Sequence, residues 1–253
     1  MRRLLASLGR LLGLLLLALL CLQLFFLLRI AAMNLIAPQS TTFQRAEILR
    51  LLRDKGQLLW AQQWVDGDQI SPHLKRAVIA SEDASFAEHG GVDWDALEKA
   101  WERNQKAQAQ AEKRLQRLSP QQQAARPPAP TKIVGGSTIT QQLAKNLFLG
   151  PERTLARKGQ ELVLTYMLEA LLSKDRILKI YLNNVEWGEG LFGAQAAARH
   201  YFRIDANRLS PSQAARLAVM LPAPKRFEKR PASPYVLSRA ATIEARMGAV
   251  ELP

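Results

Sequence analysis

The chain has 253 residues, and 48% of them are hydrophobic, so it can fill a core and is not disordered throughout. Its length fits one domain, or one domain with an appendage. One Cys and three His exclude a disulfide framework and a Cys/His zinc site. The net charge of +13 indicates an anionic partner, which can be a membrane surface, a phosphate-bearing substrate or nucleic acid.

A long apolar stretch near the N-terminus decides the expected compartment. Residues 11–32 are almost wholly Leu, Ala and Phe, close to the roughly 20 residues that cross about 30 Å of hydrocarbon. Residues 1–10 carry three arginines, against Arg29 alone near the far end, so we expect a cytoplasmic N-terminus, a single span and an exported remainder. The alternative is a cleaved signal peptide, although the apolar run exceeds the about 7–15 residues of a usual signal-peptide core.

Helix-start signals recur through the exported part and predict a mainly α fold. Residues 33–70 are expected to form a juxtamembrane segment, with helical spacing of apolar residues from Phe43 to Leu59. Beyond it, capping residues precede runs with helical apolar spacing, at Ser71, Asp93, Ser137, Thr154, Ser173, Ser210 and Ser233. Pro in the first turn strengthens three of these starts. Hardly any segment alternates with a period of two.

Residues 104–130 differ in composition from the rest of the exported part. They are rich in Gln, Ala, Lys and Arg, have almost no large apolar residues and end in a Pro-rich run. Such a segment cannot bury much surface. We therefore expect a flexible surface insertion, whose first part can form a polar helix.

Chemistry-bearing side chains are densest from Glu82 to His89, where a predicted helix ends. The segment holds three carboxylates and one imidazole. Crowded carboxylates raise one another's pKa, which suits a general acid or base. On spacing alone, such a segment is more often a solvated acidic loop.

A second candidate is the helix start after Gly135 and Gly136, where backbone N–H groups can converge on an anion at Ser137. On the helix that follows, Ile139, Leu143 and Leu147 have the spacing of a core face, while a polar stripe is formed by Thr138, Gln142 and Lys145. An ordinary capped amphipathic helix explains this pattern equally well.

The next predicted helix carries two cations close to a carboxylate. Arg157 and Lys158 lie four and three residues before Glu161, so all three share one helix face and the cations favour the charged carboxylate. Surface ion pairs have the same spacing and are common. Glu82 and Glu161 are nevertheless two carboxylates whose pKa values we expect to shift in opposite directions, upward for Glu82 and downward for Glu161. Active sites use such pairs to divide acid and base roles.

Two further patterns do not form a cofactor or metal motif in our interpretation. Gly188–Gly193 matches the G-x-G-x-x-G string of dinucleotide-binding folds, but no strand–helix alternation surrounds it. We interpret it as a tight turn between helices. The three histidines, His73, His89 and His200, are scattered singly and give no metal triad.

Together these strings resemble the peptidoglycan glycosyltransferases (glycosyltransferase family 51), and in particular the monofunctional, membrane-anchored members of Gram-negative bacteria. The matching strings are Glu82-Asp83-x-x-Phe86-x-x-His89, Gly135 to Asn146, Arg157-Lys158-x-x-Glu161, Arg176 to Asn183, and Gly188 to Gly193. The resemblance implies a mainly α, lysozyme-like fold with a smaller membrane-facing lobe, assigned here to residues 71–253.

The resemblance also implies the reaction and its setting. Lipid II would be polymerised onto a growing glycan chain with release of undecaprenyl diphosphate, for cell-wall synthesis. The catalytic domain would lie in the periplasm, tethered to the inner membrane, with cell-wall synthesis and division proteins as partners. Nucleic acid is not expected, because the exported sequence has no stripe of alternating aromatic and basic residues.

The same resemblance implies roles for individual residues. Glu82 would be the general base, and Glu161 a second catalytic carboxylate that orients nearby cations or helps to hold a divalent metal at the diphosphate. The residues implied in substrate and diphosphate binding are Ser137, Thr138, Gln141, Gln142, Lys145, Asn146, Arg157 and Lys158. Supporting roles fall to Asp83, Phe86 and His89. A divalent cation (Mg²⁺ or Mn²⁺) at the diphosphate is implied by the family alone, since no metal motif is readable.

Two departures and two alternatives accompany this interpretation. The insertion at residues 104–130 is longer than we expect of the family, and the chain has no Ser-x-x-Lys or Lys-Thr-Gly string, so no transpeptidase activity is expected. One alternative is a lysozyme-like lytic enzyme that uses Glu82 as an acid. The other is an inactive, membrane-anchored scaffold for the wall-synthesis machinery.

Overall fold

The computed structural model describes residues 2–116, 135–150, 152 and 154–253, and these residues form a mainly helical protein. The helices are α1 (Arg2–Ala32), α2 (Thr42–Lys55), α3 (Pro72–Glu82), α4 (Trp94–Gln116), α5 (Ile139–Phe148), α6 (Leu155–Leu171), α7 (Lys174–Asn184), α8 (Ala194–Phe202), α9 (Pro211–Met220), α10 (Pro224–Phe227) and α11 (Pro234–Glu244). The strands are β1 (Ala61–Gln62), β2 (Glu186–Gly188) and β3 (Leu191–Phe192). Helix α4 continues into the predicted insertion as a polar helix, and the part of the insertion at residues 117–130 lies outside the described residues.

Side-chain caps fix most of the helix starts where the sequence predicts them. Each of the following accepts a hydrogen bond from a backbone N–H of the first turn: Ser71, Thr154, Ser173, Ser210 and Ser233. Asp93 does the same for Ala96 at 2.7 Å. The prediction for Ser137 is wrong, because Thr138 caps α5. Gln141 stands three residues after Thr138 and returns its side chain to the Thr138 N–H, which completes a capping box.

A small three-stranded sheet is the part of the fold that hydrophobic periodicity misses. Strand β3 lies between β1, to which it is parallel, and β2, to which it is antiparallel. Strands of two or three residues are too short to show alternation. The string at Gly188–Gly193, interpreted above as a turn between helices, is therefore a hairpin that joins the juxtamembrane segment to the domain.

The backbone of this hairpin requires glycine at Gly190. Gly190 has φ of +68°, and a Cβ atom on it would collide with the carbonyl oxygen of Leu59. We expect Gly190→Ala to cost about 2 kcal/mol or more of unfolding free energy, because it adds backbone strain to a steric clash. Gly248→Ala, at a position with open space around it, is the matched control for thermal denaturation. Equal melting temperatures for the two variants would contradict this account.

Two groups of helices meet at the expected site. Helices α3, α9 and α11 pack together, and α5 packs against α2, α6 and α7. Between them lie large, fully buried side chains such as Tyr181 and Phe86. Buried Asn183 holds the segment before α3 through both the N–H and the carbonyl of Val65, at 2.9 and 3.0 Å. The C-terminus of α3 lies beside α5, where Glu82 accepts a hydrogen bond from Gln142 at 3.0 Å.

The N-terminal helix is long and apolar enough to cross a membrane from Ala6 to Ala32. This agrees with a single-pass anchor. Its last turns dock on the domain: Gln23 and Gln160 of α6 exchange two side-chain hydrogen bonds, at 2.9 and 3.1 Å. Arg176 donates to the carbonyl of Met33 at 2.7 Å. The anchor is therefore attached to the helix that carries Glu161.

Candidate active site

Glu82 is the last residue of α3 and reaches the wall of a cavity. Its carboxylate accepts hydrogen bonds from Gln142 at 3.0 Å and from Ser81 at 3.4 Å. Although the residue is partly exposed, protein atoms surround the carboxylate, and desolvation raises the pKa of Glu82. Asp83 adds to the rise, while the two hydrogen bonds and Lys145 oppose it. The predicted direction is confirmed, but burial is a larger cause than the crowding of carboxylates.

Asp83 and His89 tie the end of α3 to the start of α5. The His89 Nδ1 accepts from the Gly91 N–H at 3.1 Å, so Nε2 carries the proton and donates to Asp83 at 2.8 Å. The other oxygen of Asp83 accepts from the Ile139 N–H at 2.9 Å. Phe86 is fully buried beside them. These three predicted supporting residues hold the site together and do not line its cavities.

A metal does not fit either carboxylate cluster. Asp83, His89 and Asp93 have ligand atoms within 4.8 Å of one another, but the polar atoms of all three side chains are already engaged in hydrogen bonds within the protein. The two oxygens of Glu161 are each bound by a cation, whose charge opposes a second cation there. We therefore derive no step through a metal ion.

Glu161 lines a second cavity, of about 330 Å³. It is buried on α6, with Arg157 at 2.9 Å from one oxygen and Lys158 on the other. The remaining predicted binding residues on its wall are Ser137, Gln141, Gln142, Lys145 and Asn146. Of the predicted set, Thr138 alone is not brought there: it is buried, and its hydroxyl donates to the carbonyl of Gly91 at 2.6 Å.

Lys145 is electrostatically coupled to both carboxylates. Burial is the largest influence on it and lowers its pKa, Arg157 and Lys158 lower it further, and Glu161 and Glu82 raise it. Gln142 also connects the two carboxylates, because it lines the Glu161 cavity and donates a hydrogen bond to Glu82. The Tyr181 hydroxyl donates to the Gln142 side-chain carbonyl at 2.9 Å and so fixes the amide.

The cavity beside Glu82 has a volume of about 410 Å³ and contains residues that sequence reasoning missed. Two arginines, Arg226 and Arg239, line it together with apolar side chains. Phe227 and Tyr235 stack within it, with ring centroids 5.8 Å apart and planes at 7°. No short motif marks these residues, and only the predicted helix start at Ser233 pointed to the element that carries Arg239.

The domain is helical, and Glu82, a carboxylate with a raised pKa, lies close to two cavities lined by cationic side chains. This arrangement suits a transferase with an anionic leaving group. Residues 55–113 and 123–248 match the family model described as Transglycosylase. A biosynthetic peptidoglycan transglycosylase of Paraburkholderia xenovorans (strain LB400) is 49% identical over 232 residues, 91% of this chain and 87% of that protein. One of Burkholderia ambifaria (strain MC40-6) is 51% identical over 231 residues, 91% and 85% of the two chains.

The chain therefore belongs to the biosynthetic peptidoglycan transglycosylase family, and it is a glycosyltransferase of cell-wall synthesis. The predicted mainly α, lysozyme-like fold behind one N-terminal apolar helix is confirmed. Neither alternative, the lytic enzyme or the inactive scaffold, is favoured.

Proposed function

We propose that this glycosyltransferase polymerises lipid II into glycan strands and releases undecaprenyl diphosphate. The observation that carries the proposal is the position of Glu82: it lines one cavity that has arginine side chains in its wall, and its hydrogen bond from Gln142 connects it to a second cavity lined by Lys145, Arg157 and Lys158. Joining two diphosphate-bearing substrates requires two anion sites on either side of one base. Cleavage of a neutral glycan requires neither anion site.

The Glu161 cavity is proposed to take the donor, which is the growing glycan chain. Lys145, Arg157 and Lys158 would bind its diphosphate and stabilise the negative charge that develops as the sugar–phosphate bond breaks. Glu161 would hold Arg157 and Lys158 in place without contacting the sugar.

The Glu82 cavity is proposed to take the acceptor lipid II. Glu82 would remove the proton from the 4-hydroxyl of the acceptor sugar, and that oxygen would form the new bond to the anomeric carbon of the donor. The bond from that carbon to the diphosphate breaks, and its electron pair leaves with the diphosphate. Arg226 and Arg239 would attract the acceptor's own diphosphate.

The membrane setting follows from the lipid-linked substrate. Gln23 attaches the apolar helix to α6, beside Glu161, so the diphosphate cavity stays close to the anchor. We propose a single-pass inner-membrane protein with residues 71–253 in the periplasm as the catalytic domain. Cross-linking is not expected from these 253 residues, which have no Ser-x-x-Lys string, so cell-wall synthesis and division proteins are proposed as partners.

The raised pKa of Glu82 predicts an acid limb in the rate. The base works only when ionised, so kcat at saturating lipid II should fall as the pH drops through a value above the ordinary 4.5. Initial rates measured between about pH 4 and pH 8 check this. An acid limb at or below the ordinary glutamate value would contradict the role of burial at Glu82.

The experiment for the function itself uses the full chain in detergent with labelled lipid II, and separately with preformed glycan. A ladder of strands that lysozyme digests is the expected result. Cleavage of the preformed glycan would instead show a lytic enzyme. A folded protein that does neither, in several detergents and with or without Mg²⁺ or Mn²⁺, would indicate a scaffold.

A further inference from the structure

A cluster of charged side chains lies outside both cavities. Lys225 of α10 meets the carboxylate of Glu47 of α2 at 2.7 Å and that of Glu186 of β2 at 3.3 Å. Both carboxylates are buried. We call these three residues the Lys225 cluster. Glu47 is further held by Arg50, whereas the nearer oxygen of Glu186 is buried without a well-formed hydrogen bond.

The charged carboxylate of Glu186 does not stabilise the folded protein. Burial, which Glu47 and Glu228 reinforce, outweighs Lys225 and raises the pKa of Glu186 to about 7. A carboxyl whose pKa rises on folding costs stability where it is ionised, above about pH 7, and the cost disappears as the pH falls towards the unfolded value of 4.5. A buried charge that costs stability and touches no proposed substrate site calls for another role.

The cluster connects elements that form the two cavities. Lys225 belongs to a helix of only four residues, and the next two residues, Arg226 and Phe227, line the cavity of Glu82. Helix α2, which carries Glu47, also places Phe43 in the wall of the Glu161 cavity. The ion pairs of Lys225 join this short helix to α2 and β2, so they influence where the neighbouring Arg226 lies.

We propose that Glu186 is a positioning residue for acceptor binding: with Glu47 it holds Lys225, and so fixes Arg226 at the cavity of Glu82. This inference rests on the proposed function, because it assumes that an anionic acceptor enters that cavity. Glu186 itself does not contact the substrate. Its carboxylate sets the geometry of α10 and links the acceptor cavity to the helix that follows the membrane anchor.

The proposal has a pH dependence with a defined sign. Above about pH 7 Glu186 is negative and attracts Lys225; below it the carboxyl is neutral and this attraction is lost. The concentration of lipid II at half-maximal rate should therefore rise as the pH falls from about 8 to about 6. The charged and titratable groups around Glu186 are Lys225, Glu47, Arg50, Glu228 and Tyr201.

The test compares wild type with Glu186→Gln, which keeps the shape and removes the charge. At pH 8 we expect the half-saturating lipid II concentration to rise roughly five-fold, the usual scale of one partly exposed charge contact, with kcat little changed. The pH dependence of that concentration should disappear, while the acid limb of kcat from Glu82 remains. Thermal stability at pH 8 should equal or exceed that of wild type, because a costly buried charge is gone.

Two further variants make the test specific. Asp205→Asn removes a carboxylate charge that pairs with Arg199, away from the Lys225 cluster and from both cavities, so the half-saturating lipid II concentration should stay as in wild type. In an Arg226→Ala background, Glu186→Gln should have no additional effect, because both changes act through one side chain. The positioning role alone would be overturned if Glu186→Gln left the half-saturating lipid II concentration and its pH dependence unchanged. It would also be overturned if the effects of Glu186→Gln and Arg226→Ala were fully additive. A wild type that makes no polymer would overturn the proposed function as well.

Discussion

Glu82→Gln is expected to lower the rate of lipid II polymerisation by about 10²–10⁴-fold, the usual contribution of a general base. The substitution keeps the size of the side chain and an oxygen that can accept from Gln142, so the fold should survive. It removes only the group that takes the proton. The initial rate of lipid II consumption, measured beside thermal denaturation and substrate binding, separates loss of chemistry from loss of structure.

The matched control for this variant is Glu88→Gln. Glu88 belongs to the same acidic segment but is exposed and lines neither cavity, so its variant should keep the wild-type rate. A Glu82→Gln protein that polymerises at a near wild-type rate would show that the base lies elsewhere.

Glu161→Gln should have the second-largest effect, a loss of roughly 10²-fold in kcat/KM, within the range measured when charge stabilisation of a transition state is removed. The buried carboxylate holds Arg157 and Lys158, and without it the two cations repel each other and leave the diphosphate cavity. The measurement is kcat/KM for lipid II, normalised to the folded fraction.

A second carboxylate on the same helix provides the control for Glu161. Glu169 is also largely buried and pairs with a lysine, Lys174 at 2.9 Å, but it lines neither cavity. Glu169→Gln should lose stability and keep its rate per folded molecule. If both variants lost rate in proportion to their loss of stability, Glu161 would have a structural role only.

Local signals predicted most of the helical framework, because a cap and its helix are close in the sequence. The exception at Ser137 has the same physical basis, since a capping box requires Gln three residues later and only Thr138 has it. The strands escaped prediction because β1 pairs with β3, about 130 residues away, and neither is long enough for a periodic pattern.

The site could be predicted as a list of residues but not as an arrangement. The sequence pointed to Glu82 and attributed its raised pKa to neighbouring carboxylates, whereas the larger cause is burial, a property of the whole fold. The arginines of the acceptor cavity lie in the last fifth of the chain, far from Glu82 in sequence, and the packing of α3 against α9 and α11 brings them together.

The central claim is that Glu82 is the base for transfer between two bound lipid-linked sugars. A single-addition reaction tests it most directly: preformed short glycan as donor, labelled lipid II as acceptor, wild type beside Glu82→Gln, and products separated by size. Wild type should extend the glycan by one unit, and a folded Glu82→Gln that still binds lipid II should do so about 10²–10⁴-fold more slowly. Extension at equal rates by the two proteins would contradict it.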